Sequence, residues 1–160
     1  MDGRDRQILR LLQNDARISN VDLARELGVA PSAIHERLRK LERRGVIRGY
    51  HARLAPELLG AELLAFVFVQ ADDRPYEHST AERLAAIPEV QEVHHIAGED
   101  CLLVKVRCAS TAALGELLQK EFGAIASVRK TRTTIVLRSM KETLDLQVPE
   151  VGEDEGRASR

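Results

Sequence analysis

A very short connection between two amphipathic helical patterns constrains the fold of this chain more than any other feature. Ser19 begins the first pattern with a signal that resembles a capping box, and Gly28 ends it. The second pattern starts at Pro31, a residue favoured in the first turn of a helix, and stops at Gly45. Only Gly28-Val29-Ala30 lies between them. Two helices joined by a tight turn that contains glycine predict a helix-turn-helix motif.

A further helix precedes this motif, and an extended segment follows it. Asp2 can cap the first helix, and Asp5 stands in its opening turn, where a carboxylate suits the helix dipole. An apolar stripe at helical spacing starts at Ile8. After Gly45 the pattern changes, and residues 46–54 read as a strand or a small wing. The first part of the chain is therefore predicted to be a winged helix-turn-helix.

The second part of the chain begins after a hinge at Pro56 and Gly60 and has a different order of elements. Strand and helix patterns alternate as β-α-β-β-α-β, which is typical of a four-stranded antiparallel sheet with two helices on one face. The bare face must be covered, most simply by another copy of the chain. The predicted strands are 63–71, 90–97, 101–108 and 128–138, and the predicted helices begin at Ser79 and Ser110.

These patterns predict an α+β protein with two domains and a tail. The winged helix-turn-helix domain is expected to cover residues 1–60, with the helix-turn-helix at about 19–44 and a linker strand at its end. The ferredoxin-like domain is expected to cover residues 61–145. Residues 146–160 are expected to form a flexible acidic tail.

Charge is distributed unevenly between the two parts. The formal net charge is −1, but residues 1–50 contain 11 Lys/Arg against 7 Asp/Glu. The remaining residues contain 13 basic and 18 acidic side chains. A basic first part joined to an acidic second part indicates that only the first part meets a polyanion.

A helical wheel of residues 31–44 separates a leucine side from a polar side. In a helix-turn-helix, the N-terminal part of the second helix meets base edges in the major groove of DNA. We therefore expect base-edge contacts from Ser32, Ala33, His35, Glu36 and Arg39. Phosphate contacts are expected from Lys40, Arg43 and Arg44.

The alternative for this surface is a merely solvated helix face, stabilised by pairs such as Glu36–Lys40. The turn before the helix and the basic surroundings favour DNA binding. Arg37 lies near the leucine side of the wheel, so an ion pair at the edge of the core is expected for it instead of a DNA contact.

The sequence offers little support for metal or catalytic chemistry. Cys101 and Cys108 lie seven residues apart on one predicted strand, on opposite faces and about 23 Å apart. Both are expected to be small buried apolar residues. His94 and His95 also point to opposite faces of their strand. We expect no catalytic residue, metal or cofactor. The cysteine usage and the lack of a charged-then-apolar leader favour the cytoplasm, and no membrane association is expected.

Several stretches resemble the Lrp/AsnC (leucine-responsive/asparagine) family of feast/famine regulators. In the first part the similar stretches are Asp2-x-x-Asp5-x-x-Ile8-Leu9, residues 16–24, residues 28–32, residues 37–47 and Gly49-Tyr50. In the second part the chain is similar to that family's ligand-binding and oligomerisation (RAM-type) module at Gly98-Glu99-Asp100-Cys101 and Thr131-Arg132-Thr133. The resemblance covers residues 1–140.

This resemblance implies a bacterial-type transcription factor that binds double-stranded DNA, forms homodimers and commonly assembles into octamers in the nucleoid. An amino acid or a related small metabolite would bind between the sensor domains. The implied effector-binding residues are Gly98, Glu99, Asp100, Cys101, Leu102, Thr131 and Thr133. Two positions depart from the family pattern: Asp100-Cys101, where an aromatic residue and Asp are common, and Ala30, where Ser often caps the recognition helix.

Two alternative functions stay open at this point. A nucleoid-organising protein without an effector would use the second domain for assembly alone. An enzyme similar to siroheme decarboxylases, which share this layout and use histidines near the sheet, would draw on His94 and His95. The intact basic third helix argues against the enzyme.

Overall fold

The computed structural model describes residues 1–73, 77–98 and 102–149 and divides into two compact units. The N-terminal unit comprises Met1–Arg53 and Glu142–Arg160, and the C-terminal unit comprises Leu54–Lys141. Along the chain, the division between the units falls between Arg53 and Leu54. The described residues 142–149 group with the N-terminal unit. None of the helices in the described ranges is long and apolar enough to cross a membrane.

Three α-helices form the N-terminal unit, and the first two begin at local capping signals. Asp2 and Asp5 form a complete capping box, in which each carboxylate accepts the other's backbone N–H. Ser19 Oγ accepts the Asp22 N–H at 3.1 Å, while the Ser19 hydroxyl donates to the Asp22 carboxylate at 2.6 Å. The helices are α1 (Gly3–Asn14), α2 (Asn20–Leu27) and α3 (Pro31–Arg43).

The turn between α2 and α3 is explained by its three residues. Gly28 has φ 62° and ψ 41°, a left-handed conformation that glycine adopts without a steric penalty. The Val29 N–H donates to the Ala24 carbonyl at 3.0 Å and closes the end of α2. Ala30 is extended, and Pro31 takes the first helical position. The predicted helix-turn-helix is confirmed.

A small aliphatic core holds these helices together. Ile8 of α1, Leu23 of α2 and Ile34 of α3 are each 0 % exposed and pack in one cluster with Leu38 and Leu41. Burial of one such side chain contributes about 1.5–3 kcal/mol. Because α3 turns its leucine side inward, its opposite side is left for solvent or a partner.

The segment after α3 differs from its prediction. No strand is assigned to residues 46–54, so the prediction of a strand and of a linker strand in this segment was wrong. The N–H groups of Val46 and Ile47 donate to the Leu41 carbonyl at 2.9 and 3.3 Å, and the Tyr50 hydroxyl donates to Glu42 Oε1 at 3.0 Å. A strand requires a paired neighbour, whereas these bonds join the segment to the end of α3.

The C-terminal unit has the predicted order β-α-β-β-α-β. Its sheet is antiparallel throughout, with strand order β2-β3-β1-β4. The strands β2 and β4 end before their predicted limits, and a 3-10 helix (Pro56–Leu59) precedes β1. The elements are β1 (Leu63–Ala71), α4 (Ser79–Ala85), β2 (Val90–His95), β3 (Leu102–Cys108), α5 (Thr111–Leu117), a π-helix (Leu118–Phe122) and β4 (Val128–Ile135).

The two faces of this sheet differ in their packing. Alternate residues of β1, such as Val67 and Val69, are 0 % exposed and pack in one core with Leu84 of α4 and Leu114 of α5. The residues between them, Phe66 and Phe68, are only half-buried on the other face. The fold class of an N-terminal helix-turn-helix and a C-terminal ferredoxin-like domain is confirmed.

Candidate DNA-binding surface and effector site

Helix α3 presents a polar surface opposite its leucine side. Six of the eight predicted DNA-binding residues line this surface as exposed side chains within the helix, Ala33 is half-buried, and Arg44 is exposed at the C-cap. The exposed residues within the helix are Ser32, His35, Glu36, Arg39, Lys40 and Arg43. The eight residues thus form a continuous stretch along α3, which we call the α3 surface.

The charged side chains of the α3 surface are not engaged in hydrogen bonds or ion pairs within the described part of the chain. Among the described residues, the side chains of Arg39, Arg43 and Arg44 form no hydrogen bond or ion pair, and Glu36 and Lys40 form no pair with each other. The stabilising pair expected for a merely solvated helix face is therefore missing. Three guanidinium groups and one ammonium group remain available for DNA phosphates and base edges.

Arg37 connects helix α3 to the start of α1 by ion pairs. Its Nη1 donates to Asp2 Oδ2 and to Asp5 Oδ1, at 2.6 Å each, and Asp5 is only 6 % exposed. The predicted ion pair of Arg37 at the edge of the core is confirmed. The Asp5 N–H and then Arg37 hold the pKa of Asp2 below its ordinary value, because both favour the charged carboxylate. The recognition helix is thereby held against α1 by a charged contact as well as by the core.

The N-terminus of α3 lacks a side-chain cap, as the departure at Ala30 implies. Ala30 already has the extended conformation of a capping residue, with φ −72° and ψ 144°. We predict that Ala30→Ser raises the free energy of unfolding by about 1 kcal/mol, because the new hydroxyl can accept a free N–H of the first turn. Thermal and denaturant unfolding measure this gain. Ala33→Ser is the matched control inside α3, and an equal gain in both variants would contradict the prediction.

The predicted effector residues lie at one end of the C-terminal unit, as far as they are described. Glu99, Asp100 and Cys101 lie outside the described residues. Gly98 has φ 147°, which favours glycine. Leu102 is 1 % exposed and belongs to the core.

Two threonines on β4 share the helix-covered face of the sheet with Leu102. Val69 of β1 is opposite both Leu102 and Thr131, and Val67 is opposite Thr133. Thr131 and Thr133 are half-buried, and neither hydroxyl forms a hydrogen bond with the described part of the chain. Because Thr131 and Leu102 lie on the two strands that flank Val69, twice the strand spacing puts them about 10 Å apart. Two half-buried hydroxyls at the sheet edge can hydrogen-bond a small polar ligand.

The residues considered for metal or catalytic chemistry are dispersed. His94 is opposite Leu103 and hydrogen-bonds Glu92 Oε2 at 3.0 Å, whereas His95 is opposite Leu102, so the two histidines lie on opposite faces as predicted. Cys108 is buried, and burial raises the pKa of its thiol. Within the described ranges, no three His, Cys, Asp or Glu residues come together as metal ligands.

Sequence reasoning missed contacts between α1 and the end of the chain. Arg10 binds the backbone of Val148, and Gln13 binds the backbone of Leu146, in each case more than 130 positions away. Both side chains lie opposite the apolar stripe of α1, and no local pattern marks them as different from other solvated residues. The sequence carries no signal for such a contact.

Two family models match the chain and together cover both units. Residues 1–48 match the winged helix-turn-helix DNA-binding model, and residues 64–146 match the Lrp/AsnC ligand binding domain model. The first match contains the α3 surface, and the second contains the sheet with Thr131 and Thr133. Neither model describes an enzyme.

Individual relatives agree with these models over nearly the whole chain. The HTH-type transcriptional regulator FL11 of Pyrococcus horikoshii is 37% identical over 92% of this chain and 97% of its own length. The leucine-responsive regulatory protein of Escherichia coli is 38% identical over 89% of this chain and 88% of its own length. A feast or famine regulatory protein of M. tuberculosis, solved in complex with L-methionine, has a TM-score of 0.84 at 38% identity over 92% of this chain and 99% of that chain. The chain therefore belongs to the Lrp/AsnC family of DNA-binding transcription regulators.

Proposed function

We propose that this regulator recognises specific pseudo-palindromic DNA sites as a homodimer and that an amino acid or related small metabolite modulates its binding. The observation that carries the proposal is the α3 surface, whose charged side chains are exposed and unpaired within the described chain. Because these side chains are exposed and unpaired, they can meet DNA phosphates and base edges without first breaking a contact in the protein.

The position of each residue on α3 suggests its role on DNA. Ser32, Ala33, His35, Glu36 and Arg39 occupy the N-terminal and central turns, which enter the major groove in this motif. A guanidinium such as that of Arg39 pairs with two acceptors of guanine. Lys40, Arg43 and Arg44 stand at the C-terminal end and are suited to neutralising phosphates.

The proposed effector site combines the loop 98–102 with the two threonines of β4. Thr131 and Thr133 offer two hydroxyls that the described chain leaves unbonded, as a site for a polar ligand requires. The M. tuberculosis relative was solved with L-methionine. An amino acid is therefore the proposed class of effector, with methionine as the first compound to test.

The proposed assembly uses the sheet face that α4 and α5 leave uncovered. Phe66, Phe68 and Leu103 of this face are half-buried, and the Arg132 guanidinium lies 3.9 Å from the centre of the Phe68 ring. A second copy of this face would cover these side chains and form the homodimer, and dimers would associate further into octamers. We place the assembled protein on the nucleoid in the cytoplasm.

A titration of the full chain against its own upstream DNA tests the proposal. Binding is expected to weaken steeply between about 50 and 200 mM salt, because phosphate contacts release counterions. An unrelated duplex should bind at least tenfold more weakly at physiological salt. Equal affinity for both duplexes would contradict specific recognition and favour a nucleoid-organising role.

The effector is tested separately by thermal unfolding in the presence of each amino acid. A ligand that binds the native state at 100 times its Kd stabilises the protein by about 2.7 kcal/mol. Thr131→Val and Thr133→Val should reduce this shift without abolishing DNA binding. A flat response to the whole panel would contradict an amino-acid effector.

A further inference from the structure

The C-terminal segment of the chain returns to the N-terminal unit and binds helix α1. The Gln13 side-chain amide donates to the Leu146 carbonyl at 2.9 Å, and the Leu146 N–H donates back to Gln13 Oε1 at 2.7 Å. Two nitrogens of Arg10 donate to the Val148 carbonyl at 3.2 and 3.0 Å. Four hydrogen bonds thus attach residues 146–148 to one face of α1.

These contacts are polar and depend little on apolar burial. Leu144 and Leu146 are 86 % and 77 % exposed, so the segment does not extend the hydrophobic core. Hydrogen bonds of this kind contribute modestly, since each replaces a bond to water. A segment held in this way can be released and replaced without unfolding the unit.

The C-terminal segment runs antiparallel to helix α1. Leu146 lies at Gln13 and Val148 at Arg10, one turn nearer the N-terminus of the helix. Two extended residues advance about 6.6 Å, and three helical residues about 4.5 Å. The direction from Leu146 to Val148 therefore points along α1 toward Arg6.

An arginine-lined cavity lies at that end of α1. It has a volume of about 710 Å³. Its lining includes the carboxylate of Asp2 and four arginines, which are Arg4, Arg6, Arg10 and Arg37. The sequence after Pro149 contains four carboxylates within six residues, Glu150, Glu153, Asp154 and Glu155, which lie outside the described residues. Arg37 is already paired with Asp2 and Asp5, so the positive charge that complements this stretch comes from Arg4, Arg6 and Arg10.

We propose that residues 150–155 are the occupant of this arginine cavity and that residues 146–148 anchor them there. The acidic stretch then lowers the positive potential of the N-terminal unit and competes with DNA phosphates for it. The docking itself is independent of the DNA-binding function, whereas its effect on DNA affinity rests on that proposed function.

The test compares the full chain with a neutralised variant, Glu150→Gln/Glu153→Gln/Asp154→Asn/Glu155→Gln. The control, Glu57→Gln/Glu62→Gln/Glu82→Gln/Glu121→Gln, changes the net charge equally at exposed residues of the C-terminal unit. Hydrogen exchange of residues 142–149, followed by mass spectrometry from milliseconds to seconds, reports the docking. We expect severalfold faster exchange in the neutralised variant and no change in the control at about 50 mM NaCl. The exchange rates of the neutralised variant and the control should converge at high salt, where exposed charges are screened.

The second readout is the affinity for a DNA duplex of unrelated sequence. The neutralised variant should bind about threefold or more tightly than the control at 50 mM NaCl, because a competing polyanion has been removed. Equal hydrogen-exchange rates of residues 142–149 in the neutralised variant and the full chain would overturn the docking. The arginines of the cavity would then be interpreted as contacts for DNA phosphates. If exchange differs but no variant binds any DNA, the docking stands and the proposed DNA-binding function fails.

Discussion

Replacement of Arg37 by methionine is expected to lower the free energy of unfolding of the N-terminal unit by about 2–3 kcal/mol. The Arg37 guanidinium contacts two carboxylates at 2.6 Å, and the Asp5 side chain is only 9 % exposed. Removal of the cation leaves a buried carboxylate without its counter-charge, which costs more than the pair itself contributes. The cost falls below the roughly 3–5 kcal/mol of a fully buried pair because the Arg37 side chain is 30 % exposed. Denaturant unfolding followed by circular dichroism measures the loss.

The chain supplies a matched control in another arginine of the same unit. Arg25 forms an ion pair with Asp22 at 2.8 Å, but the two side chains are 73 % and 48 % exposed. Arg25→Met should therefore cost less than about 1 kcal/mol. Asp5→Asn combined with Arg37→Met should recover part of the loss, because the buried charge is then absent. Equal losses of unfolding free energy in Arg37→Met and Arg25→Met would show that the burial of Asp5 adds nothing to the cost of removing its partner.

The same contact makes the stability of the unit sensitive to acid. The pKa of Asp2 lies below its ordinary value in the folded chain, chiefly because of the Asp5 N–H and then because of Arg37. A lowered folded-state pKa stabilises the fold above the unfolded-state pKa, and this contribution is lost as the pH falls through the folded-state value. Part of the stability difference between the parent and Arg37→Met should therefore disappear below about pH 4.

Replacement of Arg39 by alanine is expected to weaken binding to the specific DNA site by roughly 1–3 kcal/mol, or about 5- to 150-fold. Arg39 is exposed on α3 and has no partner among the described residues, so its loss should change the unfolding free energy by less than about 0.5 kcal/mol. Binding to an unrelated duplex should change much less than binding to the site. Fluorescence anisotropy on both duplexes at one salt concentration measures the difference.

Arg43→Ala is the control for this experiment because Arg43 is the proposed phosphate contact. It should weaken binding to both duplexes by the same factor and reduce the salt slope by about one. If Arg39→Ala behaved in this way, Arg39 would be a phosphate contact. If it had no effect on either duplex, Arg39 would not belong to the DNA-binding surface.

Much of the fold is determined by neighbours in the sequence. Asp2 and Ser19 determine where α1 and α2 begin, and Gly28 determines where α2 ends, because caps act on backbone groups within four residues. The periodicity of α3 likewise assigned the sides of Leu38 and Arg39 correctly, since a helix relates side chains by a fixed rotation. The opposite faces of His94 and His95 on their strand were predicted from alternation in the same way.

Contacts between distant residues were decided only by the tertiary structure. The wheel placed Arg37 at the edge of the core, but Asp2 and Asp5 became its partners through the packing of α1 on α3. Residues 46–54 have a strand-like composition, yet no strand within the described ranges of this chain pairs with them. The attachment of Leu146 to Gln13 joins positions that only the folded chain brings together. Local patterns determine helices, turns and faces because their forces act over a few residues, whereas partners far along the chain are chosen by the geometry of the whole fold.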